Sequence, residues 1–228
     1  MIANKKEFSL GAGLMAGFIV VLVLMFLPLF NGKNTLNYLD DLFNSISKGS
    51  AYYIPKLKND IQVISGKNVD LELTLPSGEI ARDSQTLFAR NGIPATIEGS
   101  NLRVQGGMGQ ILGAAIEDAD ILFHNRGEQL ESKYGIDGRP ALYTWWNTLK
   151  AMQKSLNEQE LFEEGKVVYS VMTRGVETAY NYYKIVPQSM SEKLGMVLFA
   201  LVFYVIYTMW YGYAILYMFE GWGLQISH

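Results

Sequence analysis

The sequence contains no cysteine and only two histidines, His124 and His228. The first absence excludes disulfides, thiolate zinc sites, cysteine-ligated iron–sulfur clusters and C-x-x-C-H haem attachment. The second leaves too few imidazoles for a histidine-rich metal site. A strong excess of one charge is lacking as well. The 19 Lys and Arg against 22 Asp and Glu leave a net charge of −3, which argues against a nucleic-acid-binding face. Most informative of all, two long stretches carry no charge whatever.

The longer stretch, residues 194–219, holds about 26 residues without a charged side chain. At about 1.5 Å per residue such a helix is roughly 39 Å long, whereas a bilayer core needs about 30 Å. Residues 10–30 give a second uncharged run of about 21 residues. A cleaved signal peptide has a shorter apolar region followed by a small-x-small site. Here the run ends in Pro28-Leu29-Phe30-Asn31-Gly32, so an uncleaved anchor is predicted. The two runs raise the hydrophobic content to 49%, the top of the globular range. Neither run offers a charge for a proton relay or ion pathway.

Each run carries a stripe. In the first, Ser9, Gly13 and Gly17 recur every four residues, the small-xxx-small pattern that lets helix backbones approach closely. In the second, Tyr204, Tyr207 and Tyr211 fall on one face near mid-span. Tyrosine is normally confined to the membrane interfaces, and a phenol in hydrocarbon wants a hydrogen-bond partner that lipid tails lack. These six residues are the expected helix-packing interface, docking other membrane-protein subunits or a second copy of the chain. A quinone stacked on the tyrosines is a further reading.

Between the runs the pattern is that of a folded domain. Residues 35–46 repeat apolar side chains at helical spacing with Thr35 as a cap. Residues 69–75 alternate Val69, Leu71, Leu73 and Leu75 with polar residues, a half-buried strand. Residues 80–90 read as a helix stopped by Asn91-Gly92, and 93–98 with 102–105 as a hairpin about Gly99-Ser100-Asn101. A longer helix follows over 108–124. This β-α-β-β-α order over about 60 residues resembles the ring-building and ferredoxin-like modules of bacterial assemblies, a likeness of element order alone. Further helices are predicted over 141–156 and 167–186, the first begun by Pro140. Ser189 and Glu192 have the form of a capping box for the second run.

The expected fold class is therefore a membrane-anchored α+β chain, with two transmembrane helices flanking an extramembrane domain that holds a small βαββα module and additional long helices. The partition is a short cytoplasmic tail (1–9), a transmembrane helix (10–30), an amphipathic connector (31–60), the small α/β module (61–125), a hinge (126–139), a helical segment leading to the membrane (140–188), a second transmembrane helix (189–219) and a short tail (220–228). Lys5 and Lys6 favour a cytoplasmic N-terminal side and hence an extracytoplasmic domain, periplasmic in a Gram-negative host. Lys33, Lys184 and Lys193 weigh the other way.

Catalytic, cofactor-binding and metal-binding sets are not legible. Gly106-Gly107-Met108-Gly109 precedes a helix but matches neither phosphate-binding glycine pattern, and reads as a tight strand-to-helix turn. Asp40/Asp41 and Glu117/Asp118 with Asp120 are consecutive residues whose side chains point in different directions. His124 reads as a helix-end cap or a solvent-facing group. The leading expectation is a non-enzymatic accessory or scaffold subunit of a cytoplasmic-membrane complex, with no cofactor and no nucleic acid. A homo-oligomeric ring or cage is the alternative, since the span–domain–span layout resembles polysaccharide co-polymerases, although the Pro/Gly-rich second span of that family is missing. A redox-enzyme subunit contacting quinone is the third reading.

Overall fold

The computed structural model describes residues 2–224; the end of the predicted tail 220–228, with His228, lies outside them. The chain divides into two compact units, Ser50–Val186 and the segments on either side of it. The whole is mostly helical, at 72%, with one small antiparallel sheet.

The flanking unit starts with α1 (Lys5–Phe26), whose N-terminus is capped by the Asn4 side chain accepting from the Lys6 and Glu7 amides. Leu27 turns the chain out of the helix, and α2 (Thr35–Ser50) follows. The cap there is Asn34, not Thr35: its Oδ1 accepts from the Asn37 amide at 2.8 Å. An amide oxygen one residue upstream reaches the free N–H groups of the first turn, which makes the Thr35 hydroxyl redundant.

The central unit opens with α3 (Ile54–Ile64), started by Pro55 in its first turn. Ile54, Leu57, Ile61 and Ile64 recur at helical spacing and are almost fully buried. The expected connector over 31–60 is thus two helices, of which the second belongs to the domain core. Strand β1 (Asn68–Thr74) leads through Ser77, which caps by accepting from the Ile80 amide, into α4 (Gly78–Arg90). Strands β2 (Ala95–Glu98) and β3 (Asn101–Gly107) form a hairpin whose two-residue loop places Gly99 at φ 64.

The strand order is β1-β3-β2, all antiparallel. In the β1–β3 register Leu71 faces Val104 and Leu73 faces Leu102, and all four are fully buried. The opposite face is polar. There Arg103 grips Asp70 with two hydrogen bonds of 2.8 and 2.6 Å, and Gln105 adds a third at 2.8 Å. These donors hold the Asp70 carboxyl down to about 2. The period-2 alternation has decided which face meets the helices.

Strand β3 runs without a loop into α5 (Met108–Phe123), ten of whose residues are buried. The predicted hinge is then a helix, α6 (Gly127–Tyr134). Leu130 and Tyr134, one turn apart, anchor it in the core. Its glycines serve packing and termination. A Cβ on Gly127 would collide with the Tyr183 hydroxyl, and Gly135 ends the helix at φ 71.

Helix α7 (Gly138–Glu158) buries eleven residues, and Trp145 meets Phe88 edge to face at 5.6 Å. The last predicted helix is broken into α8 (Phe162–Ser170), a π-helical segment over Val171–Glu177, and α9 (Thr178–Tyr182). Gly175 faces the core so closely that a Cβ would sit 2.7 Å from Ile116 Cδ1. The wider π turn keeps Val171, Met172, Gly175 and Val176 all buried. Beyond it Lys184 takes φ 66, and Asn125 fixes the turn by accepting from the Lys184 amide and donating to the Ile185 carbonyl.

The last helix among the described residues is α10 (Met190–Gly221), 32 residues. The anticipated capping box does not form. The Ser189 hydroxyl instead shares a hydrogen bond with that of Ser191 at 2.7 Å.

Candidate functional site

The most distinctive feature of the flanking unit is the pairing of α1 with α10. Both helices are long and apolar enough to cross a membrane. They run antiparallel, and small residues set the closest approach. A Cβ on Gly11 would lie 2.6 Å from the Met218 amide nitrogen and 2.9 Å from the Ala214 carbonyl oxygen. A Cβ on Gly221 would lie 2.5 Å from Phe8. At that end the Ala3 and Asn4 amides both donate to the Gly221 carbonyl, at 2.9 and 3.0 Å. The N-terminal segment is thereby tied to the end of the long helix.

Polar groups along the seam are satisfied across it. The Trp210 indole N–H donates to the Leu14 carbonyl at 2.9 Å, and its ring lies over Gly17, where a Cβ would come within 2.9 Å. Tyr207 stacks on Phe18 with centroids 4.3 Å apart and donates its hydroxyl to the Phe18 carbonyl at 3.3 Å. The stacking continues from Tyr207 to Phe203 and Phe199. Helix carbonyls have a second lone pair to offer, so these donors find partners without breaking a helix.

The six residues singled out from the sequence separate into two groups. Gly17 and Tyr207 lie in the intramolecular seam, and Tyr211 touches it through Phe18 at 5.1 Å while staying about half exposed. Ser9, Gly13 and Tyr204 face outward: none of the described residues lies within 4 Å of a Cβ on Gly13, and Tyr204 is 65% exposed. The residues that sequence reasoning missed are Gly11, Trp210, Ala214 and Gly221. Ala214 and Gly221 are seven residues apart, a small-residue spacing that shares one helix face and was the available signal.

The central unit contains a buried charged cluster around Asp118. Asp118 is fully buried and accepts from Lys133 Nζ at 2.9 Å, the Tyr134 hydroxyl at 2.5 Å and the Trp145 indole at 2.7 Å. Asn91 in turn donates to the Tyr134 hydroxyl at 2.7 Å. Burial first, and then the Asp118 charge, push the Tyr134 phenol strongly upward. A carboxylate with every oxygen occupied by these donors is a structural tie between α5, α6 and α7.

A second group joins Tyr52, Asp120 and His124. The Tyr52 hydroxyl donates to Asp120 at 2.7 Å, and burial together with that bond raises it to about 12. His124 caps the end of α5 through the Asp120 carbonyl at 2.9 Å. Among the described residues no three His, Cys, Asp or Glu side chains converge as a metal site would require. Set beside known protein families, curated proteins and solved structures, the chain matches none of them.

Proposed function

We propose that the chain is a two-pass membrane protein, a non-enzymatic accessory or scaffold subunit of a cytoplasmic-membrane complex, whose paired helices hold an extracytoplasmic interaction domain. The observation that carries the membrane reading is the outward face of the helix pair. Only 6% of the most apolar stretch of either helix is buried, and Val20, Phe199, Leu201, Val202, Val205 and Ile206 are more than half exposed or at that limit. A core helix of a soluble protein buries such side chains, and each left in water forgoes about 1.5–3 kcal/mol. Lipid removes that penalty. A signal sequence would have no built seam with a helix far along the chain, whereas α1 has one with partners 189 and 196 positions away.

The accessory role rests on what remains unpaired after the seam has formed. Ser9, Gly13 and Tyr204 lie outside it on a lipid-exposed surface, where an open small-residue stripe and a phenol suit another helix. Lys5 and Lys6 beside α1 support a cytoplasmic N-terminal side.

The test is native mass after mild-detergent purification, with copurifying proteins identified. A defined set of membrane proteins, lost on Gly13→Leu with Tyr204→Leu, supports the subunit reading. A symmetric multiple of 25.6 kDa turns it towards the ring or cage, and a clean monomer rejects both. Orientation is read separately: the Cys-free sequence allows V63C, at a position 83% exposed, to be probed with an impermeant maleimide on intact cells.

A further inference from the structure

The helix pair does not close at the end opposite the Gly221 knot. There α1, the turn after it, the start of α2 and the start of α10 enclose a cleft of about 250 Å³ lined by Leu24, Leu29, Leu39, Met196, Ala200 and Phe203 among others. Its walls are almost wholly apolar, and it is continuous with the exposed outer surface of the pair. It adjoins a second, polar chamber of about 530 Å³ that contains Lys33, Asp41, Gln188 and Lys193. Leu29, Phe30 and Tyr38 line both, so the two share a rim, at which Phe30 stacks on Tyr38 with centroids 4.8 Å apart.

The charges in the polar chamber are unbalanced. Lys33 is ion-paired with Asp41, while Lys193 has no ion pair among the described residues. An apolar slot leading to a chamber with one free ammonium is complementary to an amphiphile with a chain and an anionic head. If α1 and α10 span the bilayer, the chamber opens where the uncharged stretches end, at headgroup depth.

We propose that this cleft is a binding site for one anionic glycerophospholipid, with an acyl chain in the apolar slot and its phosphate headgroup against Lys193. This rests on the membrane reading above, and the experiment separates the two. The full chain is first tested for release from membranes by alkaline carbonate; release overturns the membrane reading and the lipid site with it. The retained chain is then purified, delipidated and offered equal phosphatidylglycerol and phosphatidylcholine, and the adducts are counted by native mass spectrometry.

The expected result is a single adduct that favours phosphatidylglycerol about fivefold, the discrimination one lysine gives near an anionic lipid surface. Lys193→Gln should equalise the two lipids while leaving an adduct in place. Ala200→Trp, which fills the slot from a lipid-facing helix, should abolish both adducts. Equal retention of the two lipids by the unaltered chain, or an adduct that survives Ala200→Trp, overturns the lipid site and leaves the membrane reading standing.

Discussion

The two units of this chain solve opposite problems with similar apolar side chains. In the central unit α7 buries eleven of its 21 residues and turns its charges outward. In the flanking unit α10 buries three of 32 residues, and α1 buries one of 22. The central unit gains stability by removing apolar area from water, at about 25 cal/mol per Å². The helix pair buries little apolar area, and its seam is made by close backbone contact at Gly11, Ala214 and Gly221 and by side-chain donors to carbonyls, the means of association that the proposed lipid setting would require. The consequence is that volume matters in both units, but in opposite directions: the domain suffers when atoms are removed, the helix pair when they are added.

The strongest way to break that contrast acts on the domain. Trp145→Ala removes a fully buried indole and a donor to buried Asp118, and should cost about 3–5 kcal/mol. Hydrogen exchange on the full chain should accelerate in α5, α6 and α7 but not in α1 or α10. Equal acceleration in all five helices would show that the two units unfold together.

The complementary change adds volume to the seam. Gly11→Leu drives a side chain into the Met218 and Ala214 backbone and should cost about 1–3 kcal/mol. The expected readout is loss of bismaleimide crosslinking between F8C and W222C, whose rings lie 5.6 Å apart in the unaltered chain. Gly13→Leu, with open space at its Cβ, should leave the crosslink intact. Should the two substitutions weaken crosslinking alike, the seam does not run through Gly11.

The smallest effect is electrostatic and confined to the domain. Glu164 is buried and hydrogen-bonded by Lys67, which holds its carboxyl below its ordinary 4.5. A carboxylate lowered in the folded state contributes stability that is complete above the unfolded value and fades as pH falls through the folded one. Glu164→Gln should therefore lower the melting temperature of the domain at pH 7, and that deficit should shrink as pH falls below about 4.5, which flattens the acid limb. An unchanged acid limb would remove Glu164 from the account.

Much of the fold was legible because it depends on local period. Alternation over 69–75 marked β1 and its inner face, and Asn91-Gly92 and the turn at Gly99 marked where elements stop. The illegible parts depend on distant partners. Residues 126–139 look flexible by their glycines, yet Gly127 is small because Tyr183 lies against it, 56 positions away. The π segment likewise answers to the core at Ile116 and Leu57, not to its own sequence. Of the candidate site, the stripes were visible but their division was not. Gly17 and Tyr207 meet other parts of the same chain, whereas Gly13 and Tyr204 face outward.

The sequence by itself determined the two uncharged stretches, the absence of thiol chemistry, the strand alternation and the helix-ending turns, because composition and period act over a few residues. Only the tertiary structure decided which glycines are contacts, how Asp118 is satisfied and where a cleft is left open. Those depend on which surfaces meet, and close packing between residues far apart in the chain leaves no periodic trace in it.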